Sequence, residues 1–269
     1  MISTKSIMRE GRRVVQRLAA KTLGERILLT SPPPYTAEYD REMPIGALNH
    51  HDWFSLAWKF IYSNQMEGDY FEFGSALART ARSAATYRKH PYSRSTAEIR
   101  GSGGRPYPHL YIFDSFEGFP EPTEEDGKAG WIKGHFKTSL EEFRGLIEQV
   151  VGPTDWTPIV GFYNESLTPQ RSTTLQQAKV KASIVFLDCD FYSSTRDVLE
   201  WVPPFLQNGT LLAVDDYHNY RSDPAMGQQL AFNEWRSNHP GIELHPWRPF
   251  GIFGESFIVH IKDPDRPAR

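Results

Sequence analysis

The chain has 269 residues, 39% hydrophobic and 13% aromatic, with 30 Lys and Arg against 33 Asp and Glu for a net charge of −3. At about 100–200 residues per domain this is one large domain or two small ones, long enough to bury a core without disulfides. The composition excludes a disordered or low-complexity chain, and no apolar run approaches the roughly 18–20 residues of a membrane span.

The single cysteine, Cys189, excludes a disulfide framework and a multi-cysteine zinc site. It suits a reducing compartment, so a cytoplasmic location is expected. Residues 1–30 carry seven basic side chains and two acidic ones, which leaves this arm positive by five and the rest of the chain negative by eight. The overall balance shows no basic footprint for nucleic acid. Arg12, Arg13, Arg17, Lys21 and Glu25 interrupt each apolar stretch too soon for a secretory signal. Ile7, Met8, Val14, Val15, Leu18 and Leu23 fall at helical spacing and predict a basic amphipathic helix. Such a helix packs on its own domain or on a second copy in a homo-oligomer, or touches an anionic membrane or a partner protein. Pro32, Pro33 and Pro34 then form a stiff break. Two units are expected: an arm with a Pro-rich linker over 1–49, and a main domain over 50–269.

From about residue 50, short β-rich runs alternate with helical stretches. Tyr70 to Gly74 predicts a strand, followed by a helix over Ala76 to Arg88. Residues 89–108, rich in Gly, Ser, Arg and Pro, predict a mobile loop. Leu110 to Asp114 predicts the second strand, and Ser139 to Val151 a helix with Ser139 as its N-cap. Strands follow at Pro158 to Gly161, Ser183 to Asp188 and Thr210 to Asp215, with helices after each, the last over Ala225 to Ser237. Two further runs, Ile242 to Trp247 and Ser256 to Ile261, have no helix between them. Continuous apolar strands alternating with helices predict an α/β fold with a doubly wound, mostly parallel sheet of seven strands. The helix-free final pair predicts a hairpin, so the last strand enters antiparallel.

In such a sheet, ligands bind beyond the carboxyl ends of the strands. Reading off those ends gives Glu72 and Gly74, Asp114, Gly161 and Phe162, Asp188 and Asp190, and Asp215 and Asp216. The acidic surplus therefore converges on one edge. Gly74 lets a ligand approach the backbone closely, or merely closes a tight turn. The run GSALAR lacks the phosphate-cradling glycines of a dinucleotide site, so a nucleoside without phosphates is the better candidate ligand. Asp114 can accept bonds from both ribose hydroxyls, or can cap a loop. Between 114 and 126 there are six acidic residues and no basic one, but Ser115 to Pro120 is too aromatic and turn-specific to be only a solvated loop. Asp188-Cys189-Asp190 and Asp215-Asp216 bring three or four carboxylates together. Their repulsion is relieved by a hard divalent cation such as magnesium, or by salt bridges to Arg or Lys.

The segments FDSFEGFP, VGFYNESL, FLDCDFYSSTRDVLEW, DDYHNY and GQQLAFNEW, in this order, resemble the macrocin O-methyltransferase family. The resemblance spans about residues 66–261. It implies a class I, Rossmann-like methyltransferase fold and an S-adenosylmethionine-dependent, magnesium-dependent sugar O-methyltransferase of antibiotic biosynthesis. It implies that Asp188, Asp215 and Asp216 ligate the metal and that Asp190 is a candidate general base. It also implies that Glu72, Gly74, Asp114 and Ser115 line the cofactor, with Phe162 near the adenine and Asp188 reaching the same ligand. His135 falls in the region of a substrate-side histidine and is the second candidate base. Cys189 stands where the best-known members have Gly, and the 89–108 insertion is longer and more basic than expected.

The implied acceptor is a small molecule or glycan with vicinal hydroxyls, such as an antibiotic sugar, a polysaccharide or glycolipid, or a non-sugar diol. Trp131, Tyr217 and Tyr220 are candidates for stacking on a sugar face, or belong to the core. Two rivals stand beside this reading. Asp188-x-Asp190 also matches a metal-dependent glycosyltransferase motif, and a non-catalytic scaffold would keep the same sheet.

Overall fold

β1, Asp69–Phe73, is buried at all five positions, and β4, Ala182–Leu187, at all six. Strands covered on both faces have no solvent side, so apolar residues run on without alternating with polar ones. The computed structural model describes residues 48–89, 101–126 and 131–263. With β2 (Leu110–Asp114), β3 (Trp156–Val160), β5 (Leu211–Val214), β6 (Ile242–Pro246) and β7 (Glu255–Ile261), these strands form one seven-stranded sheet in the order β3-β2-β1-β4-β5-β7-β6. The first five strands pair in parallel, and β7 runs antiparallel between β5 and β6. The predicted doubly wound sheet with an antiparallel last strand is what the chain forms.

Helices cover both faces. On one lie α1 (His50–Ser63), α2 (Arg79–Tyr87) and α3 (Leu140–Ile147), where Trp53, Phe54 and Trp58 of α1 pack with Ala81 and Ala84 of α2, Phe143 of α3, and Ile112, Ile184 and Phe186 of the sheet. After β3 come α4 (Tyr163–Ser166) and α5 (Pro169–Gln177), then α6 (Tyr192–Trp201) after β4 and α7 (Gly227–Asn238) after β5. Val198 and Leu199 of α6, with Phe232 and Trp235 of α7, pack with Phe71, Phe73, Val185 and Leu187 on the other face. Ser139 caps α3 as predicted, accepting the Glu142 N–H. No element is predicted over 50–63, where α1 stands. Its signature is present in Asn49, whose side chain accepts the Asp52 N–H at 2.7 Å, and in the helical spacing of Trp53, Phe54, Ala57, Trp58 and Ile61. The strand order reverses between β1 and β4, so the ends of these two strands open the crevice expected of this topology.

The predicted basic arm over 1–49 lies outside the described residues except for Leu48 and Asn49, as do residues 90–100 of the predicted loop. The rest of that loop is anchored at the amino edge of the sheet, away from the crevice. Buried Asp69 accepts the N–H groups of Ser102 at 3.3 Å and His109 at 2.7 Å, and Arg105 pairs with it at 3.2 Å. An apolar edge would expel Asp69; three donors aimed at it offset the cost of burying the carboxylate.

His109 beside this anchor is pushed down to about 4, by burial first and by the charges of Arg105 and Arg88. An unfolded histidine binds its proton near pH 6.5, so between these values the unfolded chain holds the extra proton and stability falls as pH falls. His109→Gln is therefore expected to lose less stability than the wild type between pH 6.5 and pH 5, by up to about tenfold in the folding equilibrium per pH unit. Urea midpoints across that range check this; parallel curves for the two proteins would refute it.

Candidate active site

The carboxyl ends of β1, β2, β3, β4 and β5 surround a cleft of about 760 Å³. At its floor the Gly74 N–H donates to Phe113 O at 2.9 Å, and the Asp188 N–H donates to Phe73 O at 2.8 Å. A Cβ at Gly74 would lie 1.9 Å from the Asp188 carbonyl oxygen, so only glycine lets β1 turn beside β4 here. Asp114 closes β2. Its Oδ2 accepts the Ser75 N–H and its Oδ1 the Phe116 N–H, both at 2.7 Å, and burial raises its pKa against these bonds. The Ala76 N–H also acts on it, which leaves one of the roughly four lone-pair sites of the carboxylate for a ligand hydroxyl. Ser115 donates to Gly118 O at 2.9 Å and accepts the Glu117 N–H at 3.0 Å, so its hydroxyl builds the turn that the sequence marks as specific.

Gly74, Asp114, Ser115, Phe162 and Asp188, all predicted to line a cofactor, do line the cleft. Glu72 does not. It is fully buried, accepts the Thr80 hydroxyl at 2.8 Å and the Tyr70 hydroxyl, and is pushed up to about 7 by burial. Thr80 itself lines the cleft, so Glu72 supports the wall from behind.

Opposite, the ends of β4 and β5 carry the acids. The Asp215 N–H donates to Leu187 O at 2.9 Å, which continues the parallel ladder past the strands and sets the side chains side by side. Asp188, Asp215 and Asp216 each place one carboxylate oxygen so that all three lie within 4.8 Å of one another. Asp190 has a φ of +57°, a left-handed backbone uncommon outside glycine, and its carboxyl lies beside that of Asp216. Asp190 is pushed up to about 6, while Asp188 and Asp216 stand well above the usual carboxylate range. Burial is the first cause in each case. After it, the groups acting most strongly on Asp188 are other acids: Asp215, Asp190, Asp216 and Glu72. Carboxylates in mutual repulsion, with oxygen donors only, match the chemistry of a hard divalent cation.

The remaining wall is aromatic. Phe119 packs against Trp131, Phe136 and Phe191 with centroids 5.6, 5.2 and 4.7 Å apart. At the mouth, Leu77, Phe136, Ile252 and Phe253 line the cleft and are exposed. Of the three predicted stacking residues only Trp131 lines it. The Tyr217 ring packs edge-on to Phe232 and Phe257, and the Tyr220 hydroxyl donates to Asp126 O at 2.7 Å. His135 is exposed on the lining, and among the described residues no hydrogen bond joins it to the acids.

The profile of the macrocin O-methyltransferases (TylF) matches residues 101–240, just over half of the chain and the span that holds all four acids. The chain belongs to the macrocin O-methyltransferase family. Membership decides for an O-methyltransferase against the glycosyltransferase reading of Asp188-x-Asp190. Among solved structures, the O-methyltransferase NovP is 17% identical over 77% of this chain and 78% of its own, with a TM-score of 0.56. CalS11, a calicheamicin methyltransferase, is 20% identical over 93% of this chain and 92% of its own, with a TM-score of 0.57. These likenesses establish the shared class I fold. No curated protein sequence matches the chain.

Within the family span, Cys189 is buried, 3.5 Å from Thr195 Oγ1, and burial raises its thiol pKa. Gln228, quoted in the sequence as part of GQQLAFNEW without a role, is buried beneath the acids. Its Oε1 accepts the Asp216 N–H at 3.0 Å and its Nε2 donates to Thr195 at 3.1 Å, which ties the β5 end to α6. Nothing in the sequence marks His50 as a site residue. This residue lies outside the matched span, yet its Nε2 is 2.5 Å from Asp215 Oδ1.

Proposed function

We propose that this O-methyltransferase transfers the methyl group of S-adenosylmethionine to one hydroxyl of a vicinal diol on a sugar or glycan-like small molecule, with magnesium held by Asp188, Asp215 and Asp216. The observation that carries this reading is the set of three carboxylate oxygens within 4.8 Å of one another, in the same cleft as Gly74 and Asp114. The donor set suits the cation, and Asp114 at the end of β2 suits a ribose.

A divalent cation there would supply Lewis-acid stabilisation of negative charge developing on the acceptor oxygen. S-adenosylmethionine would supply an electrophilic methyl group on a sulfonium. The chain's own residues do the rest. Gly74, Asp114 and Phe162 hold the nucleoside end, and the aromatic wall from Phe119 to Phe136 excludes water and orients the acceptor, whose apolar portion rests on Ile252 and Phe253. Asp190, beside the acids, takes the hydroxyl proton as the oxygen–methyl bond forms and the sulfur–methyl bond breaks. The main contribution to rate is positioning, since reaction requires near-attack distance and an in-line approach. His135 on the lining is left as an acceptor contact.

Two measurements test the reading. S-adenosylhomocysteine is expected to bind in a calorimetric titration, and failure at millimolar concentration would remove methyl transfer by this chain. Labelled methyl transfer to a panel of glycosides and diols is expected to stop in excess EDTA and return with added magnesium. Full activity in EDTA would remove the metal.

A further inference from the structure

His50 opens α1 directly after its cap, Asn49. The ring stands edge-on to Phe186, with centroids 6.4 Å apart, and to Phe250, at 5.4 Å. The loop between β6 and β7 clamps it from the other side. Leu48 bridges to Phe250, the Gly251 N–H donates to Leu48 O at 2.8 Å, and a Cβ at Gly251 would come within 3.0 Å of His50 Cε1. Three segments far apart in sequence thus hold one imidazole on the lining of the cleft, a quarter exposed. From there it reaches across 165 positions of chain to Asp215 Oδ1. A carboxylate oxygen accepts, so His50 Nε2 carries the proton of this bond.

We propose that His50 is a positioning residue for the cation site: by donating to Asp215 Oδ1 while locked between Phe186, Phe250 and Gly251, it fixes the Asp215 carboxylate in the orientation that completes the cluster with Asp188 and Asp216. The inference rests on the metal reading above. A lone carboxylate on a strand end rotates about its side-chain torsions, and burying it among like charges favours any rotamer that separates them. A rigid donor on Oδ1 opposes that escape. Hydrogen-bonding partners of metal ligands set affinity in this way, and their loss costs about 10–100-fold.

Magnesium chloride titrated calorimetrically into the full chain, with S-adenosylhomocysteine present, tests this on His50→Phe, His50→Ala and His50→Gln. The phenylalanine keeps the ring and its packing but has no donor; the glutamine restores an N–H of similar reach. Magnesium affinity is expected to fall about 10–100-fold in His50→Phe and His50→Ala and to recover in His50→Gln. S-adenosylhomocysteine affinity is expected to stay unchanged in His50→Phe. Wild-type magnesium affinity in His50→Phe would overturn the proposal and leave His50 a packing residue. Equal loss in all three variants would also overturn it. A wild-type chain that binds S-adenosylhomocysteine but no magnesium would instead remove the metal reading, and this inference with it.

Discussion

Asp188→Asn is expected to lower turnover by about 10³-fold or more while raising the stability of the metal-free protein. The two effects have one origin. Asp188 is half-buried, and after desolvation the strongest influences on it are Asp215, Asp190, Asp216 and Glu72, all acids. The cluster is thus costly in the absence of a cation, because each ionised carboxylate destabilises the others. A neutral amide of the same shape removes one charge from the group. Each kcal/mol recovered raises the melting temperature by roughly 2–4 °C in a domain of this size. The same amide is a poor ligand for a hard cation, and Lewis-acid stabilisation is worth several kcal/mol at about 1.36 kcal/mol per tenfold in rate. Magnesium is expected to stabilise the wild type and to leave the variant's melting curve where it was. Methyl-transfer assays and thermal melts with and without EDTA check both halves. A variant that is both inactive and less stable in EDTA would show that Asp188 holds the fold and that the acids are not in net repulsion.

This trade of stability for function explains which parts of the site are legible in the sequence. β4 reads plainly because a strand covered on both faces has no polar alternation, and its run of Ala182 to Leu187 ends abruptly at Asp188. Parallel topology then puts every such end on one edge, so the acids at 114, 188, 190, 215 and 216 are found without knowing any contact. Glu72 shows the limit of that rule. It sits near the end of a strand, as Asp114 does, but whether an acid faces the cleft or the core depends on which hydroxyls lie beside it. Tyr70 and Thr80 are visible in the sequence only as ordinary strand and helix residues.

The segment from 101 to 109 shows the converse. Its Gly, Ser and Arg content reads as loose loop, yet Asp69, more than thirty positions upstream, pins it to the sheet edge. His50 was beyond reach for a third reason. α1 carries its own signature of cap and spacing, but nothing local says that its first residue meets Asp215, since that contact exists only once β5, β7 and the loop before β7 are in place. Period and topology locate main-chain ends; side-chain partners across the fold follow from packing alone.

Gly74→Ala is expected to abolish S-adenosylhomocysteine binding and activity together and to destabilise the fold, whereas Gly134→Ala leaves the enzyme working. The two glycines have nearly the same φ, +85° and +81°, so an intrinsic cost of adding a side chain in this region, about 1–2 kcal/mol, applies to both. They differ in what the new methyl meets. At Gly134 nothing lies within 4 Å. At Gly74 the methyl would lie 1.9 Å from Asp188 O and 2.8 Å from Asp188 C, both backbone atoms. No rotamer relieves such a contact, so β1 and β4 must part at the switch point. That movement breaks the bond from the Asp188 N–H to Phe73 O and carries the Asp188 carboxylate out of the cluster. It also shifts Ser75, whose N–H fixes Asp114. One methyl therefore disturbs the acid cluster and the Asp114 carboxylate at once, and the loss comprises both the backbone strain and the cost of forcing two packed strands apart. Urea denaturation, calorimetric titration with S-adenosylhomocysteine and methyl-transfer assays on the pair separate the shared backbone cost from the contact. Equal, mild effects at both positions would mean that β1 and β4 tolerate separation, and that the close approach at Gly74 is not what shapes the site.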